Sequence, residues 1–598
     1  MEIRTEPAHL SKIATYFRRD GRWQHATAPV LRLHTTRAAE LPDLLSELEY
    51  LVESRGLTAV GWIAYEAAAA YGLAGIEPPA GTPLVDMLLF DRFQELAPPV
   101  APEPPRLEWR NTWERDRYLS AVAQLRRHLA AGDSYQVNLC FAARAADAPP
   151  PELHVPWFGR LVRAQGAHYP LLLQTPEYTL LSASPELYLA RNDTQVWSRP
   201  MKGTRPRGRY PEEDLAYRNA LADSQKDRAE NLMIVDMVRN DLGRVAQVGS
   251  VAVSDLFAIE GYPGVWQMVT QVQAHSSAPL PELIGATFPC ASITGAPKAR
   301  TMEIIRDLET APRGVYTGAA GFIAPGRRMQ LSVAIRTVTV HDRIARFGVG
   351  SGVTWDSDPA GEWEECAVKT RVLHAYGPPA YLFETLVVQD GVIWLWQQHK
   401  TRLQRAAHHV QFRLPSWSVV DRALAEACSG HRLCKARLVL HADGTVTVDA
   451  APIAQAPVEP EALEHAVPWT VSLAKEPIDS ACPDLYVKSD RRAVYEQARR
   501  SSECDEVLLY NQLGHLTEGC ITNVWLRDGD RLLTPPISDG LLGGTLRAHA
   551  LAGGATPHGL TPVEQSIPIG AITPDSELYL SNAVRGWRRA RLVATDAR

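Results

Sequence analysis

The apolar and polar positions divide the chain into two stretches, and each stretch mixes helical and strand-like patterns. The first stretch, up to about residue 377, has apolar runs typical of strands and longer runs with apolar residues three and four positions apart, typical of helices. The strand-like runs are 178–181, 331–335 and 344–349, and the helical patterns are 118–131, 214–239 and 299–308. The two kinds of element do not alternate regularly, which predicts an α+β fold.

A second stretch begins after Gly377-Pro378-Pro379. The run from Tyr381 predicts two strands around a turn at Asp390-Gly391, because Asp-Gly is a common hairpin turn. A helical pattern at 399–411 follows, with further strand-like runs at 435–440, 506–510 and 523–526. About 220 residues suffice for an independent core. We therefore predict two α+β domains, 1–377 and 378–598.

Composition and charge narrow the class of protein. The 598 residues are 45% hydrophobic and 22% charged, as in an ordinary globular protein and unlike a disordered or coiled-coil chain. The net charge of −6 provides no global attraction to nucleic acid or to an anionic membrane. The longest stretch without charged residues, 261–281, contains Gln, His, Ser and Pro, so it is not expected to cross a bilayer. We expect a soluble, cytoplasmic protein.

Eight scattered cysteines form no CxxC pair. Neither a disulfide framework nor a zinc ribbon is predicted, and a reducing compartment is the simpler interpretation.

Two predicted helices each carry a pair of carboxylates. Ser224 and Asp227 form a plausible capping box at the start of the first helix, and Asp358-Pro359 is a typical start for the second. Within each pair the residues lie three positions apart and share one helix face. The four carboxylates are Asp227, Glu230, Glu362 and Glu365.

Oxygen donors with room for water suit Mg²⁺, which binds through few carboxylates and a substrate anion. Either pair alone would more often be a solvated helix face. Three glycine-rich and basic segments, 200–208, 292–298 and 348–353, make a binding role for the carboxylates the better interpretation. Glycine lets backbone N–H groups approach an oxyanion, and Lys or Arg supplies charge. Together these features predict a pocket for a small polycarboxylate.

The ordered motifs of the first stretch resemble the chorismate-utilising enzymes, specifically the aminodeoxychorismate synthase component I branch. The resemblance extends from about Gly61 to Lys369. Its motifs are Ser184-Pro-Glu186, Met201-Lys-Gly-Thr-Arg, Lys226-Asp-Arg-Ala-Glu-Asn, Arg239-Asn-Asp-Leu-Gly, Thr294-Gly-Ala-Pro-Lys, Ala334-Ile-Arg336 and Asp356-Ser-Asp-Pro. The expected fold is therefore an anthranilate synthase component I-like α+β domain that binds chorismate.

The resemblance implies a set of ligands for metal and substrate. Mg²⁺ would lie between a substrate carboxylate and Glu230 and Glu365, with Asp227 and Glu362 beside them. The candidate substrate-binding residues are Thr204, Thr294, Tyr316, Arg336, Gly350, Gly352 and Lys369.

The same resemblance implies that Lys202 is a nucleophile, since anthranilate synthases carry alanine at this position. Glu186 matches the general acid that would protonate the leaving hydroxyl. The alternatives are an anion-binding charge for Lys202 and a surface carboxylate for Glu186. Gln136 stands where water-using relatives have a lysine base, which favours ammonia. Gln267 replaces a frequent histidine, and Cys290 replaces a common glycine.

The second stretch resembles the fold-type IV pyridoxal-phosphate (PLP) enzymes, which include branched-chain aminotransferases and 4-amino-4-deoxychorismate lyase. The matching segments are Phe383-Glu-Thr, His399-Lys-Thr-Arg402-Leu, Leu485-Tyr-Val-Lys488, Asp505-Glu-Val-Leu-Leu-Tyr-Asn, Gly514-His-Leu-Thr-Glu518-Gly-Cys-Ile-Thr-Asn523 and Leu542-Gly-Gly544-Thr545-Leu-Arg547. A branched-chain aminotransferase-like α+β domain that binds PLP is therefore expected.

On this resemblance Lys488 forms the Schiff base with PLP and Glu518 contacts the pyridine nitrogen. The phosphate would bind the backbone at Gly544, Thr545 and Leu546, with Arg402 as counter-charge. Lys475 is the competing lysine, Glu518 could belong to an ordinary turn, and Arg402 could be a solvated helix residue. Val487-Lys488-Ser489-Asp490 departs from the usual motif around the lysine, and Cys520 replaces a usual serine.

The combination of the two resemblances implies that the first domain converts ammonia and chorismate to 4-amino-4-deoxychorismate. The second domain would then release pyruvate and 4-aminobenzoate, a folate precursor. Since no Gly-x-Cys-x-Gly segment is present, ammonia would come from a separate glutamine amidotransferase subunit. Fold-type IV relatives suggest a homodimer through the second domain. The alternatives are an anthranilate synthase-like or other ammonia-using chorismate enzyme fused to an aminotransferase, or a non-catalytic sensor.

Overall fold

The computed structural model describes residues 2–4, 10, 12–99, 107–374 and 377–593. The chain forms two compact units. The first contains the chain up to Pro206 and Arg218–Gly377, and the second contains Arg207–Tyr217 and the chain from Pro378 onward. A short piece of the first stretch therefore packs with the second unit, which the sequence analysis did not predict.

The α-helices of the described chain are named here in chain order. They are α1 (Leu41–Arg55), α2 (Arg115–Ala130), α3 (His154–Gln165), α4 (Pro211–Asp223), α5 (Gln225–Gly243), α6 (Leu280–Thr287), α7 (Lys298–Leu308), α8 (Pro359–Thr370), α9 (Trp396–His409), α10 (Trp417–Cys428), α11 (Ala493–Arg500) and α12 (Thr545–Leu551).

The first unit is built around two antiparallel sheets. Its strands are β1 (Glu2–Arg4), β2 (Ala14–Arg19), β3 (Arg22–Thr27), β4 (Leu31–Thr35), β5 (Thr58–Ile63), β6 (Val85–Phe90), β7 (Gln94–Leu96), β8 (Arg110–Asn111), β9 (Gln136–Ala145), β10 (Tyr169–Gln174), β11 (Thr179–Ser184), β12 (Leu187–Asn192), β13 (Gln195–Arg199), β14 (Met201–Pro206), β15 (Ala252–Gly261), β16 (Val265–His275), β17 (Gly295–Ala296), β18 (Ala319–Ala324), β19 (Arg328–Val333), β20 (Thr337–His341) and β21 (Ile344–Thr354).

One sheet runs in the order β1-β4-β6-β5-β18-β19-β12-β13-β16-β14, with β15 paired to β16. The other runs β17-β9-β21-β20-β11-β10-β2-β3-β7, with β8 paired to β9. Helix α1 covers part of the first sheet because Leu41, Leu44, Leu45 and Leu48 recur at helical spacing and are fully buried. Strands β14 and β21, one from each sheet, carry residues of the site described below.

The second unit contains one small and one larger sheet. Its strands are β22 (Tyr381–Gln389), β23 (Val392–Ile393), β24 (Leu433–His441), β25 (Val446–Pro452), β26 (Trp469–Leu473), β27 (Glu506–Tyr510), β28 (Leu516–Gly519), β29 (Asn523–Asp528), β30 (Arg531–Thr534), β31 (Thr561–Glu564), β32 (Leu578–Asn582) and β33 (Gly586–Leu592). The small antiparallel sheet is β23-β22-β24-β25. The larger sheet is β28-β27-β26-β33-β32-β29-β30-β31, in which β26 is parallel to both neighbours.

The predicted α+β class is confirmed, and the element boundaries differ in instructive ways. The helical pattern predicted at 214–239 is two helices, α4 and α5, separated at Ser224. The Ser224 side chain accepts a hydrogen bond from the Asp227 N–H, as the capping box predicted. Asp358 likewise caps α8 by accepting from the Gly361 N–H. The polar capping residue therefore interrupts an otherwise continuous helical pattern.

The hairpin of the second unit forms as predicted, with Asp390 and Gly391 both at positive φ in its turn. The following helix begins at Trp396 rather than at 399. Within the described residues, no helix is both long enough and apolar enough to span a membrane.

Candidate active sites

The first unit contains a polar cavity of about 240 Å³ lined by β14, β21, α5 and α8. Most of the predicted site residues of this unit meet there. They are Glu186, Lys202, Thr204, Asp227, Glu230, Tyr316, Arg336, Gly350, Gly352, Glu362, Glu365 and Lys369. Residues more than 180 positions apart are thus brought to one cavity, which agrees with a small-molecule site.

Lys202 projects from β14 towards the carboxylates of α5. Its Nζ lies 3.8 Å from Glu230 Oε2, and its side chain is largely buried. Gly352 permits this approach, since a Cβ at position 352 would collide with Lys202 Nζ and with the amide of Gln136. Both polar atoms of the Gln136 side chain are buried and have no hydrogen-bond partner among the described residues. The Lys202 amine is therefore held in a confined position between β14 of one sheet and β21 of the other.

Glu186 lies between β11 and β12 and is 3% exposed. Burial raises its pKa to about 7, although Ser292, the Met201 N–H and the Lys202 charge each favour the ionised form. The Met201 N–H donates to Glu186 Oε1 at 3.3 Å. A carboxyl group with a pKa near neutrality can donate a proton at physiological pH.

The four acidic residues of α5 and α8 have different partners. Asp227 accepts from Arg205 at 2.8 Å, and Glu365 pairs with Lys369 at 2.7 Å. Burial opposes ionisation of Glu365, but Lys369 outweighs it and lowers the pKa of this carboxyl. Burial raises the pKa of Glu230, Lys202 and Lys226 oppose this shift, and the nearby Asp227 and Glu362 charges raise the pKa further. The two lysines therefore only partly offset the negative charge around Glu230.

A divalent cation would relieve that charge. The Oε2 atom of Glu362 is buried and has no hydrogen-bond partner among the described residues, as expected of an oxygen that lacks its ligand. Glu230, Glu362 and Glu365 line the same cavity and are the candidate ligands for Mg²⁺, although Glu365 pairs with Lys369 and Asp227 with Arg205. Across the described chain, no three His, Cys, Asp or Glu side chains form a metal cluster by themselves, so Mg²⁺ here would also need oxygen atoms from substrate or water.

Arg336 provides a half-buried positive charge next to α8. It adopts a left-handed backbone conformation, φ 51°, which is unusual for a side chain of this size and marks a position held by its surroundings. Its guanidinium donates to the Lys369 carbonyl, and burial lowers its pKa to about 10. The Tyr316 ring packs on the backbone of Gly348, where a Cβ would collide with it. These groups can hold carboxylates at this end of the cavity.

Thr294 is placed differently from the prediction. Its hydroxyl donates to backbone carbonyls of Cys290 and Ala291, and it is not among the described residues that line the cavity. Ser292, two positions earlier, does line the cavity. Gln267, noted for replacing histidine, lies on the wall and accepts from Thr204 Oγ1 at 3.1 Å.

The second unit contains a more apolar cavity of about 290 Å³ that includes Lys488, Arg402 and Thr545. Burial lowers the pKa of Lys488 to about 7, and the Arg402 and Arg492 charges act in the same direction. The competing Lys475 is exposed. Lys488 is therefore the lysine with a substantial neutral fraction near pH 7, as capture of an aldehyde requires.

Arg402 is oriented by a buried carboxylate that the sequence analysis did not single out. Glu384 on β22 accepts from Arg402 Nε at 2.9 Å, and His399 Nδ1 lies 2.8 Å from the same carboxylate. Burial opposes ionisation of Glu384, but Arg402 and His399 outweigh it and lower its pKa to about 2. Glu384 and His399 both lie within motifs that matched the family, but a motif does not reveal which members pair.

Glu518 on β28 is 5% exposed and belongs to a hydrogen-bonded group. Its carboxylate accepts from Tyr495 Oη at 2.7 Å and from the Leu542 N–H at 3.0 Å. Burial raises the pKa of Glu518 to about 7. A ligand nitrogen placed beside it would meet a carboxyl group that can share or accept a proton.

The segment at the start of α12 meets the requirements of a phosphate site. Gly544 lies so close to Asn523 that a Cβ would collide with its Oδ1 atom. The N–H groups of the first helical residues have no acceptor within the helix. Thr545 and Gly543 line the cavity, and Arg402 reaches the Gly543 carbonyl at 3.3 Å. Leu546 is buried beside them. Lys488, Arg402, Thr545 and Glu518 together fit PLP.

Two protein-family models match separate parts of the chain. The model of the chorismate binding enzyme family matches residues 94–375, and that of the amino-transferase class IV family matches residues 381–593. The chain joins a chorismate binding enzyme domain to an amino-transferase class IV domain. Residues of the first match line the polar cavity, and the cavity around Lys488 is lined mainly by residues of the second match.

Individual relatives support the chorismate binding domain. An aminodeoxychorismate synthase of Streptomyces griseus is 45% identical over 267 residues, 44% of this chain and 36% of that one. Component 1 of an anthranilate synthase of Haloarcula marismortui is 40% identical over 261 residues, 43% of this chain and 53% of that one. The chain thus spans from about a third to about half the length of these two relatives.

A solved structure from Bacillus anthracis, described as a 2,3-dihydroxybenzoate-specific isochorismate synthase, shares the fold. It is 21% identical with a TM-score of 0.52, covering 61% of this chain and 96% of that one.

Proposed function

We propose that the chorismate binding domain converts chorismate and ammonia to 4-amino-4-deoxychorismate, and that the amino-transferase class IV domain releases pyruvate from this product to give 4-aminobenzoate. The observation that carries the proposal is the meeting of Lys202 and Glu186 in one cavity with the acidic residues of α5 and α8. An amine nucleophile and a carboxyl group with a raised pKa suit displacement of a hydroxyl group.

In the first half-reaction, Lys202 Nζ forms a bond to ring C2, both ring double bonds shift (C1=C2 to C1=C6 and C5=C6 to C4=C5), and the C4–O bond breaks. Glu186 gives its proton to the departing hydroxyl, which leaves as water. Ammonia then bonds to C4, both double bonds return to their original positions, and the bond between C2 and Lys202 breaks. Glu186 takes back the proton that the new amino group loses, so chorismate and ammonia become 4-amino-4-deoxychorismate and water.

Mg²⁺ would be held by Glu230, Glu362 and Glu365 together with a substrate carboxylate, whose charge it would neutralise. Arg336 and Lys369 provide the positive charge on the protein side of the cavity. Lys369 donates to the Gly350 carbonyl at 2.8 Å and pairs with Glu365, and Arg336 donates to the Lys369 carbonyl, so both cations are held in place.

In the second half-reaction, PLP supplies an electron sink for the substrate amine when it is bound. Lys488 would carry the cofactor and take the proton from ring C4, for which its lowered pKa provides a neutral amine. Glu518 would hold a proton at the pyridine nitrogen, and Arg402 and Thr545 would bind the phosphate. Loss of the enolpyruvyl group leaves an aromatic ring, which makes the step strongly favourable.

Ammonia would come from a separate glutamine amidotransferase, because none of the eight cysteines lies in a Gly-x-Cys-x-Gly segment. A homodimer through the second domain is part of the same proposal. A second candidate, anthranilate formation, is favoured by the 40% identity to an anthranilate synthase component. Lys202 favours formation of 4-amino-4-deoxychorismate over anthranilate, because it would supply the amine nucleophile, and the resemblance gives anthranilate synthases an alanine at this position.

The test uses the Lys488→Ala chain, which should stop after the first half-reaction, with Mg²⁺, ammonium and chorismate. Chromatography should show 4-amino-4-deoxychorismate, and adding Lys202→Ala should abolish it. Lys226→Ala is the matched control, because Lys226 also lies 3.9 Å from Glu230 but is largely exposed. Formation of anthranilate, or equal turnover with and without Lys202, would contradict the proposal.

A further inference from the structure

The segment Arg207–Tyr217, here called the wall segment, belongs to the compact second unit although it precedes α5 in the chain. It is fixed by a buried ion pair, since Arg207 donates twice to Asp214 at 2.7 Å and both side chains are at most 7% exposed. The Gly208 N–H also donates to Asp214 at 2.8 Å. Separating the partners of a buried ion pair is strongly unfavourable, so this pair fixes the shape of the segment.

The wall segment is bound to the end of α9. Arg207 donates to the His409 carbonyl at 2.7 Å, and Asp214 lies 3.5 Å from the His409 ring nitrogen. At the start of α4, Glu212 pairs with Arg405 of α9 at 2.8 Å. Arg405 lies one turn beyond Arg402 on the same helix. The segment is therefore attached to the helix that carries the predicted phosphate ligand.

Aromatic packing attaches the wall segment to the chain around Lys488. The rings of Tyr210 and Tyr486 have centroids 5.5 Å apart, and the Arg209 guanidinium lies within 6 Å of both. Arg209 also donates to the Ser480 carbonyl at 3.4 Å. Tyr486 is two residues before Lys488, so Tyr210 packs against the irregular segment that presents Lys488.

Tyr210, Pro211 and Glu212 line the same cavity as Arg402, Lys488 and Thr545. We propose that the wall segment is part of the PLP-binding site of the second unit, with Tyr210 as a positioning residue that closes the cavity beside Tyr486. The inference rests on the proposed function only in that the cavity receives PLP. It adds that residues outside the amino-transferase class IV match, 381–593, are required for that site.

The Tyr210 ring would contribute to PLP binding by shielding Tyr486 from water and by packing against the segment that leads to Lys488. Without the Tyr210 ring, water would reach the face of Tyr486 and the segment leading to Lys488 would lose its packing partner. Cofactor affinity should fall because the aromatic contact and the burial it provides are lost. The hydroxyl group is not needed for this role, so Tyr210→Phe should preserve it.

The test measures equilibrium PLP binding to the full chain by absorbance titration. Tyr210→Ala should weaken binding on the order of tenfold, whereas Tyr210→Phe should stay within about twofold of the unmodified chain. Leu215→Ala is the matched control, because Leu215 lies in the same segment but is 55% exposed. Hydrogen exchange provides a second readout, in which PLP should slow exchange of the amides in 207–217.

Each outcome decides a different claim. Unchanged PLP affinity in Tyr210→Ala would overturn the role of the wall segment. If Tyr210→Ala does not fold, as judged by circular dichroism, the hydrogen-exchange result on the unmodified chain decides, and absence of PLP-dependent protection in 207–217 overturns the inference. Failure of the unmodified chain to bind PLP would instead contradict the proposed function.

Discussion

Glu186 and Lys488 are groups of opposite charge type, and burial moves the pKa values of both towards neutrality. The pKa of Glu186 rises to about 7 and that of Lys488 falls to about 7. In each case desolvation disfavours the charged form. An acid that keeps its proton and an amine that loses one are the two groups that the proposed half-reactions require.

Glu186→Gln should lower the rate of 4-amino-4-deoxychorismate formation by roughly 10²- to 10⁴-fold, the usual contribution of a general acid. Because the acid form of Glu186 predominates below its pKa of about 7, its contribution to kcat should decline as the pH rises through that value. A pH profile of the first half-reaction checks both points. A high-pH decline that persists unchanged in Glu186→Gln would show that another group is the acid.

Lys488→Ala should abolish the absorbance of covalently bound PLP, whereas Lys475→Ala should leave it intact. Lys475 is exposed and is not among the described residues that line the cavity with Lys488. Absorbance spectra of the three chains after addition of PLP provide the measurement. The reverse pattern would assign the cofactor to Lys475.

At the scale of single elements, caps and buried ion pairs position the site residues. Asp358 caps α8, which carries Glu362, Glu365 and Lys369. Glu384 connects β22 to α9 through Arg402 and His399. The cap was predictable because its signature is local, whereas the Glu384 group was not, because its partners lie 15 and 18 residues away on another element.

Asp358→Ala should destabilise the first unit by about 1 kcal/mol, the usual effect of removing a helix cap. The Gly361 N–H loses an acceptor at 2.8 Å, and the turn that carries Glu362 frays. Urea unfolding measures the change, and Asp358→Asn should retain most of the stability because asparagine also caps helices. An alanine chain as stable as the unmodified one would show that this cap does not hold α8.

Glu384→Gln should destabilise the second unit by about 3–5 kcal/mol, because Arg402 would remain charged and buried without its partner. Since the folded pKa of Glu384 is lowered to about 2 from 4.5, its contribution to stability is present above pH 4.5 and is lost as the pH falls towards 2. Urea unfolding at pH 7 and at pH 3 tests both statements.

The control for this prediction is Asp421→Asn. This change removes a partly exposed ion pair between Asp421 and Lys400, and Lys400 lies on α9 together with Arg402. A pair of this kind contributes about 1 kcal/mol or less. Equal losses in the two variants would contradict the special role of the buried carboxylate.

In the molecule as a whole, sequence patterns predicted the fold class and predicted that the site residues would lie together. They did not predict how every segment packs. Motifs singled out Lys202, Glu186 and Lys488, and all three line cavities, while their roles stay predictions. The packing of 207–217 with the second unit could not be predicted from the sequence. A hydrophobic pattern indicates that a helix face is buried, but not which unit buries it. Thr294 shows a similar limit, because its motif does not distinguish a cavity hydroxyl from one bonded to its own turn.

Product analysis of the unmodified chain with chorismate, ammonium and Mg²⁺, with and without PLP, tests the proposed function most directly. We expect 4-aminobenzoate and an equal amount of pyruvate when PLP is present, and accumulation of 4-amino-4-deoxychorismate after PLP has been removed. Release of anthranilate, or the same product in both conditions, would contradict it.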